Sequence, residues 1–235
     1  MTEFLNGAKV MVMYLAPAAV IMLGSRKLFK IPDELFRKIL HFILLGAYIP
    51  FLFAFEHWWM AVALAGSMML MLFPVLSLVQ RIPAFSSFVN ERKKGEFRSS
   101  MVLAISVIIG SITVGWGIAD DKYLVLAAVY AWGVGDAFAA LVGKRFGKHK
   151  IKWKLADSHK SVEGSLAMFI TSALSVFIVL TVRGGISLPG VLLISCLAAA
   201  GSTVMELCTV NGLDTITCPA VAMAIILPLI KIMGG

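Results

Sequence analysis

Apolar residues run along this chain in long, nearly uninterrupted stretches, separated by short polar connections. Eight stretches approach the roughly 20 mainly apolar residues that a helix needs to cross a bilayer. They cover about 8–25, 37–55, 57–80, 99–119, 122–143, 163–182, 186–206 and 214–232. Lys9, His41, Asp136 and Asp214 interrupt or border the first, second, fifth and eighth, which makes these the weaker spans. The pattern predicts an all-α polytopic integral membrane helix bundle with about eight transmembrane helices, within a range of 7–9. No internal repeat, linker or low-complexity stretch divides the chain, so residues 1–235 read as a single membrane-embedded domain.

Composition reinforces this reading. Sixty per cent of the 235 residues are hydrophobic, 14% are charged and the mean hydropathy is +0.92; a soluble domain carries about a quarter charged residues. The net charge of +8 does not point to nucleic acid, because the positive residues sit in short loops between apolar runs, where they act as topology signals. Cys196, Cys208 and Cys218 are odd in number, lack metal-ligand spacing and lie in or beside apolar segments. They read as small buried hydrophobes. Glu3 and the lone Lys9 before the first apolar run, with seven more runs behind it, favour a first span over a cleaved signal peptide.

The loop charges orient the bundle. Arg26, Lys27, Lys30, Arg37 and Lys38 follow span one, Arg81, Arg92, Lys93, Lys94 and Arg98 follow span three, and Lys144, Arg145, Lys148, Lys150, Lys152, Lys154 and Lys160 follow span five. The intervening loops carry Glu56, then Asp120, Asp121 and Lys122, then Arg183. Basic loops stay cytoplasmic, so both termini are expected on the extracytoplasmic side. Parity also puts the loop between spans seven and eight on the cytoplasmic face, although it holds Glu206, Asn211 and Asp214 and no basic residue.

Ionisable residues within a membrane are costly and usually face the bundle interior or a water-filled site. Asp136 stands about 10 Å inside the cytoplasmic boundary, at 1.5 Å per residue, in the run Trp132-Gly133-Val134-Gly135-Asp136-Ala137. Its bland alternative is a neutral acid bonded to a neighbouring helix. Beyond it lie the basic loop Gly143-Lys144-Arg145-Phe146-Gly147-Lys148 and then Lys160-Ser161-Val162-Glu163-Gly164-Ser165 at the entrance to span six. Glycines let backbone N–H groups approach an anion, Lys and Arg supply charge to phosphate oxygens, and a helix N-terminus favours the same anion. Ser161 reads equally as a helix cap, and basic loops serve also as topology and lipid-headgroup contacts.

Glu163, Glu206 and Asp214, with Glu96 before span four, fall on the same face. Carboxylates beside basic groups suit a magnesium-bound polyphosphate, since Mg²⁺ takes one or two carboxylates plus phosphate oxygens and water. Each acid has the alternative of a helix-end charge or salt bridge. Arg37, Lys38 and His41 share one helix face at the cytoplasmic end of span two, suited to phosphate or a substrate headgroup, or to lipid anchoring and packing. His57 with Trp58 and Trp59 reads as an aromatic belt at the opposite interface.

Five segments together resemble the membrane-embedded family that contains phytol kinase, dolichol kinase and CTP-dependent diacylglycerol kinase, itself related to the phosphatidate cytidylyltransferases. They are Arg37-Lys38-Ile39-Leu40-His41, Gly95-Glu96-Phe97-Arg98, the stretch from Gly135-Asp136-Ala137 to Gly147-Lys148, Lys160 to Ser165, and Leu213-Asp214-Thr215-Ile216-Thr217-Cys218-Pro219. The long basic and acidic signature that cytidylyltransferases carry near their C-terminus is absent, and Leu213 to Pro219 stands in its place. Asn211 and Asp214 are separated here by two residues, whereas family members often keep asparagine and acid adjacent.

The resemblance implies an enzyme on the cytoplasmic face that passes the γ-phosphoryl group of CTP to a lipid alcohol, with Mg²⁺ or another divalent cation as cofactor. It implies Asp136, Glu163 and Asp214 as metal ligands, and Glu206 or Asp214 as the group that handles the hydroxyl proton. Gly143, Lys144, Arg145, Gly147, Lys148, Lys160 and Ser161 would hold nucleotide phosphates, and Arg37, Lys38, His41, Glu96, Arg98 and Asn211 would meet the substrate or its headgroup. The Gly-Glu-Phe-Arg segment leans towards a phytol or polyprenol acceptor over diacylglycerol. Two other readings stay open: a cytidylyltransferase making a CDP-lipid, and a lipid or ion transporter. Against transport, the polar residues gather at one face and no chain of acids continues through spans six and seven.

Overall fold

A computed structural model describes residues 2–29, 31–79, 96–151, 160–209 and 212–234. Among these residues the helices are α1 (Thr2–Leu28), α2 (Asp33–Phe53), α3 (Trp58–Val79), α4 (Glu96–Ser111), α5 (Lys122–Phe146), α6 (Val162–Arg183), α7 (Leu188–Cys208) and α8 (Asp214–Met233). Helix α4 runs on into a π-helical segment, Ile112–Ile118. All eight are long and apolar enough to cross a membrane. The protein is thus an integral membrane helix bundle, as the apolar periodicity predicts. The first span begins six residues earlier than hydropathy alone placed it, because Glu3 is held by partners at the bundle's end and does not mark the helix boundary.

In hydrocarbon every backbone N–H and C=O needs a partner, which is why apolar runs fold as helices here, while Pro50, Pro74 and Pro219 within them each remove one donor from the helical ladder. Local chemistry fixes the ends. Asp121 caps α5 by accepting the N–H groups of Tyr123 at 2.9 Å and Leu124 at 3.2 Å. Ser161 caps α6 through the Gly164 N–H at 3.2 Å, and Gly184, at φ +75°, ends it.

Helix α5 is the centre of the bundle. It packs against α2, α6 and α8, touches α4 and α7, and 56% of its best spanning window is buried, against 11–33% in the other seven. Two glycines make this possible. A Cβ on Gly133 would stand 2.4 Å from Leu45 Cδ2 of α2, and one on Gly135 would stand 2.3 Å from Ser172 Oγ and 2.9 Å from Met168 Cγ of α6. Small residues let membrane helices approach until backbone packs on side chain. Flanked by these contacts, Asp136 is carried into the bundle interior.

Gly135→Val is accordingly expected to destabilise the protein by about 1–3 kcal/mol through overpacking, read as a lower melting temperature in detergent. The control Gly66→Ala adds a Cβ that meets no atom within 4 Å, so its melting temperature should stay level or rise. Equal behaviour of the two variants would refute the close-approach account.

The two ends of the bundle differ. At one end Glu3 accepts the N–H groups of Glu56 at 2.8 Å and His57 at 3.0 Å and pairs with His57 Nδ1 at 2.9 Å. Arg183 Nε lies 2.5 Å from Asp121 Oδ2 at that end, and Gly234 packs on Gly185. Glu3 and Gly234 therefore sit at the end opposite Lys38, Lys144 and Lys160. An even number of crossings requires them to share one end.

Candidate active site

The other end gathers the first turns of α2, α6 and α8 and the last turns of α5 and α7. From α2, Lys38 reaches inwards until its side chain is only 9% exposed and places Nζ 2.8 Å from Asp136 Oδ2. One turn on, His41 Nε2 lies 2.8 Å from the Gly133 carbonyl, which only an N–H can satisfy, so the proton belongs on Nε2. Its ring meets Trp132 edge to face at a centroid distance of 5.4 Å.

Lys160, just before α6, places Nζ 2.9 Å from Glu206 Oε1 and donates also to the carbonyls of Glu206 and Thr209. It thus caps the last turn of α7, where a cation meets both unpaired carbonyls and the negative end of the helix dipole. Asp214 opens α8 and lies close enough to Asp136 and Glu206 for the three charges to feel one another. Three carboxylates on three helices thus face two ammonium groups. Lys38 compensates Asp136 and Lys160 compensates Glu206, while among the described residues no cation stands at ion-pair distance from Asp214.

Several predicted residues take other positions. Glu163, in the first turn of α6, accepts the N–H groups of Lys148 and His149, both at 3.2 Å, and pairs with His149 Nδ1 at 2.7 Å. With the bonds from Ile151 N–H to Lys160 O and from Val162 N–H to His149 O, it lashes the connection after α5 to the start of α6. A Cβ on Gly147 would meet the Gly143 carbonyl at 2.2 Å and Ser161 Oγ at 2.6 Å, and one on Gly164 would meet the Ala139 carbonyl at 2.9 Å. Gly143, Gly147 and Ser161 therefore have a packing and capping role that accounts for them without a ligand.

Lys144 pairs with Glu34, which also holds Arg37 at 3.7 Å. Arg145 stacks over Phe146 at 5.4 Å, Lys148 is exposed, and Arg98 Nη1 reaches Ser77 Oγ at 3.5 Å. Asn211 and the side chain of Glu96 lie outside the described residues. Among the described residues no three of His, Cys, Asp and Glu are gathered as ligands for one metal ion.

Three participants escaped the sequence reading. Glu34 precedes Lys38 by one helical turn and shares its face, so the i,i+4 spacing was there to be read. Trp132 stands in the same relation to Asp136. His149 gave no such signal, because its pairing with Glu163 depends on how the connection folds back.

The cytidylyltransferase family profile matches residues 3–232, almost the whole chain. The chain belongs to the cytidylyltransferase family. Within it, the chain is 29% identical over 197 residues to a phytol kinase of Synechocystis, covering 80% of this chain and 76% of that protein. It is 28% identical over 138 residues to the dolichol kinase of Saccharomyces cerevisiae, covering 58% of this chain and 25% of that protein. An uncharacterized protein of Methanocaldococcus jannaschii is 34% identical over 98 residues, 41% of this chain and 46% of that protein. No solved structure matches the chain.

Proposed function

We propose that this cytidylyltransferase-family protein is a CTP-dependent lipid-alcohol kinase, working at the cytoplasmic face on a membrane prenol of the phytol, polyprenol or dolichol type or on diacylglycerol. The observation that carries the reading is the convergence of Asp136, Glu206 and Asp214 with Lys38 and Lys160 at the end of the bundle that bears the basic loops. A membrane protein stores so much charge in its interior at a cost, and polyphosphate chemistry repays it. Relatives named for phytol and dolichol kinase activity support a lipid alcohol as the acceptor. The positive charge of the loops supports a cytoplasmic position for this end and an extracytoplasmic one for both termini.

In the proposed reaction the lipid hydroxyl oxygen forms a bond to the γ-phosphorus, the bond from that phosphorus to the β–γ bridging oxygen breaks, and CDP leaves. Lys38 and Lys160 answer the charge of the phosphates, helped by Lys144 and Arg145 from the exposed end of α5. Asp214, which among the described residues has no cation at ion-pair distance, accepts the hydroxyl proton. Asp136 and Glu206, whose charges influence one another, would hold a magnesium ion through hard carboxylate oxygens. Magnesium there would neutralise charge on the transferring phosphoryl group. Glu163 shapes the connection between α5 and α6 instead of reaching the phosphates.

The family description favours a second reading, cytidylyl transfer to a lipid phosphate. Incubating purified protein in liposomes with mixed lipids, Mg²⁺ and CTP labelled in either the α or the γ phosphate separates the two. Lipid-extractable label from γ alone is the expected result. Label from α would establish cytidylyl transfer, and no label from either across a broad lipid panel would leave a transporter as the better account. ATP, GTP and UTP in the same assay test the donor.

A further inference from the structure

Trp132 is 8% exposed, and its indole Nε1 is buried with no hydrogen-bond partner. It lies beside the Asp214 carboxylate, close enough for a weak hydrogen-bond interaction but short of the distance and angle of a full hydrogen bond. An orphaned buried donor is expensive, and native structures keep few of them. The ring itself is tightly held: the His41 edge packs on it, His41 is tied to the Gly133 carbonyl, and Met168 and Cys218 close the other side. Cys218 lies one turn after Asp214, so both present to the same indole, while Trp132 lies one turn before Asp136 on α5.

Asp214 needs such an anchor. It is the first residue of α8, preceded by Leu213 and by Gly212 at φ +79°, and among the described residues it has no ammonium at ion-pair distance such as Asp136 and Glu206 have. We propose that Trp132 is the positioning residue for Asp214: its N–H donates to that carboxylate in the working enzyme and sets the direction in which the acid meets the acceptor hydroxyl. The proposal rests on the reading of Asp214 as the proton acceptor. It also makes α5 the common support of two acids, one carried directly at Asp136 and one held through Trp132.

Trp132→Phe keeps the ring packing and removes only the N–H. A hydrogen bond to a charged group corresponds to a factor of about 10 to 100, so kcat should fall by that factor, with KM for the nucleotide unchanged within about twofold. In an Asp214→Asn background the same substitution should cost less than about twofold, because the group it acts through is gone.

A second readout needs no activity. Indole ¹⁵N–¹H spectra of the full chain in detergent contain five tryptophans; the Trp132 peak is the one lost in Trp132→Phe, and Asp214→Asn should move it more than the other four. A peak unmoved by Asp214→Asn, or losses that multiply independently in the double variant, would overturn the positioning role. Full activity of Asp214→Asn with a displaced peak would overturn the proton-acceptor reading while the contact itself remained.

Discussion

Asp136→Asn is expected to lower kcat by about 10²–10³, the scale on which losing one preorganised electrostatic group acts in an enzyme. The substitution keeps the shape of the side chain and an oxygen for Lys38 2.8 Å away, but it takes the counter-charge from an ammonium only 9% exposed, so the melting temperature should fall while the protein still folds. The charge that would hold the nucleotide's metal is lost while the fold is kept. Phosphoryl transfer to lipid by purified, monodisperse protein is the measurement, with melting temperature beside it. Full activity in a normally folded variant would remove Asp136 from the site.

Lys160→Met should act on stability as much as on catalysis. Its partner Glu206 has a side chain only 12% exposed, and Lys160 itself is 17% exposed. Breaking a buried pair by removing one partner leaves an uncompensated charge and costs about 3–5 kcal/mol. The carbonyls of Glu206 and Thr209 at the end of α7 lose a donor as well. Thermal unfolding in detergent should show a clear loss. The double variant Lys160→Met/Glu206→Gln should regain much of it and yet stay inactive, because the charge returned to balance is not the charge the phosphates need. A single variant that melts like the parent protein would show the pair to be unimportant to the fold.

These two expectations rest on information of different kinds. That Asp136 is exceptional is legible in the sequence, since a lone acid just after two closely spaced glycines in an apolar run has few uses. That Lys160 anchors the end of α7 is not legible, because the contact spans 46 positions and depends on α6 and α7 running antiparallel. The same holds for Lys38, which the sequence places on a helix face with Arg37 and His41 but cannot pair with an acid 98 positions away. Glycine shows the converse. Gly143 and Gly147 suggest a phosphate loop by composition, yet a Cβ on Gly147 would already collide with Ser161 at 2.6 Å, and one on Gly143 would stand only 3.3 Å from the same hydroxyl.

By itself the sequence determined the membrane solvent, the eight crossings, the even parity and the end at which charge collects. Each of these follows from local quantities: the length of an apolar run, the obligation of every backbone group to bond within its own helix, and the sign of the residues in a loop. The tertiary structure alone decided which acid meets which cation, that Glu163 shapes a loop while Glu206 and Asp214 join Asp136, and that a tryptophan N–H is left without a partner beside one of them. Those outcomes depend on how closely α5 approaches α2, α6 and α8, and that distance is fixed by side chains from different helices meeting in space.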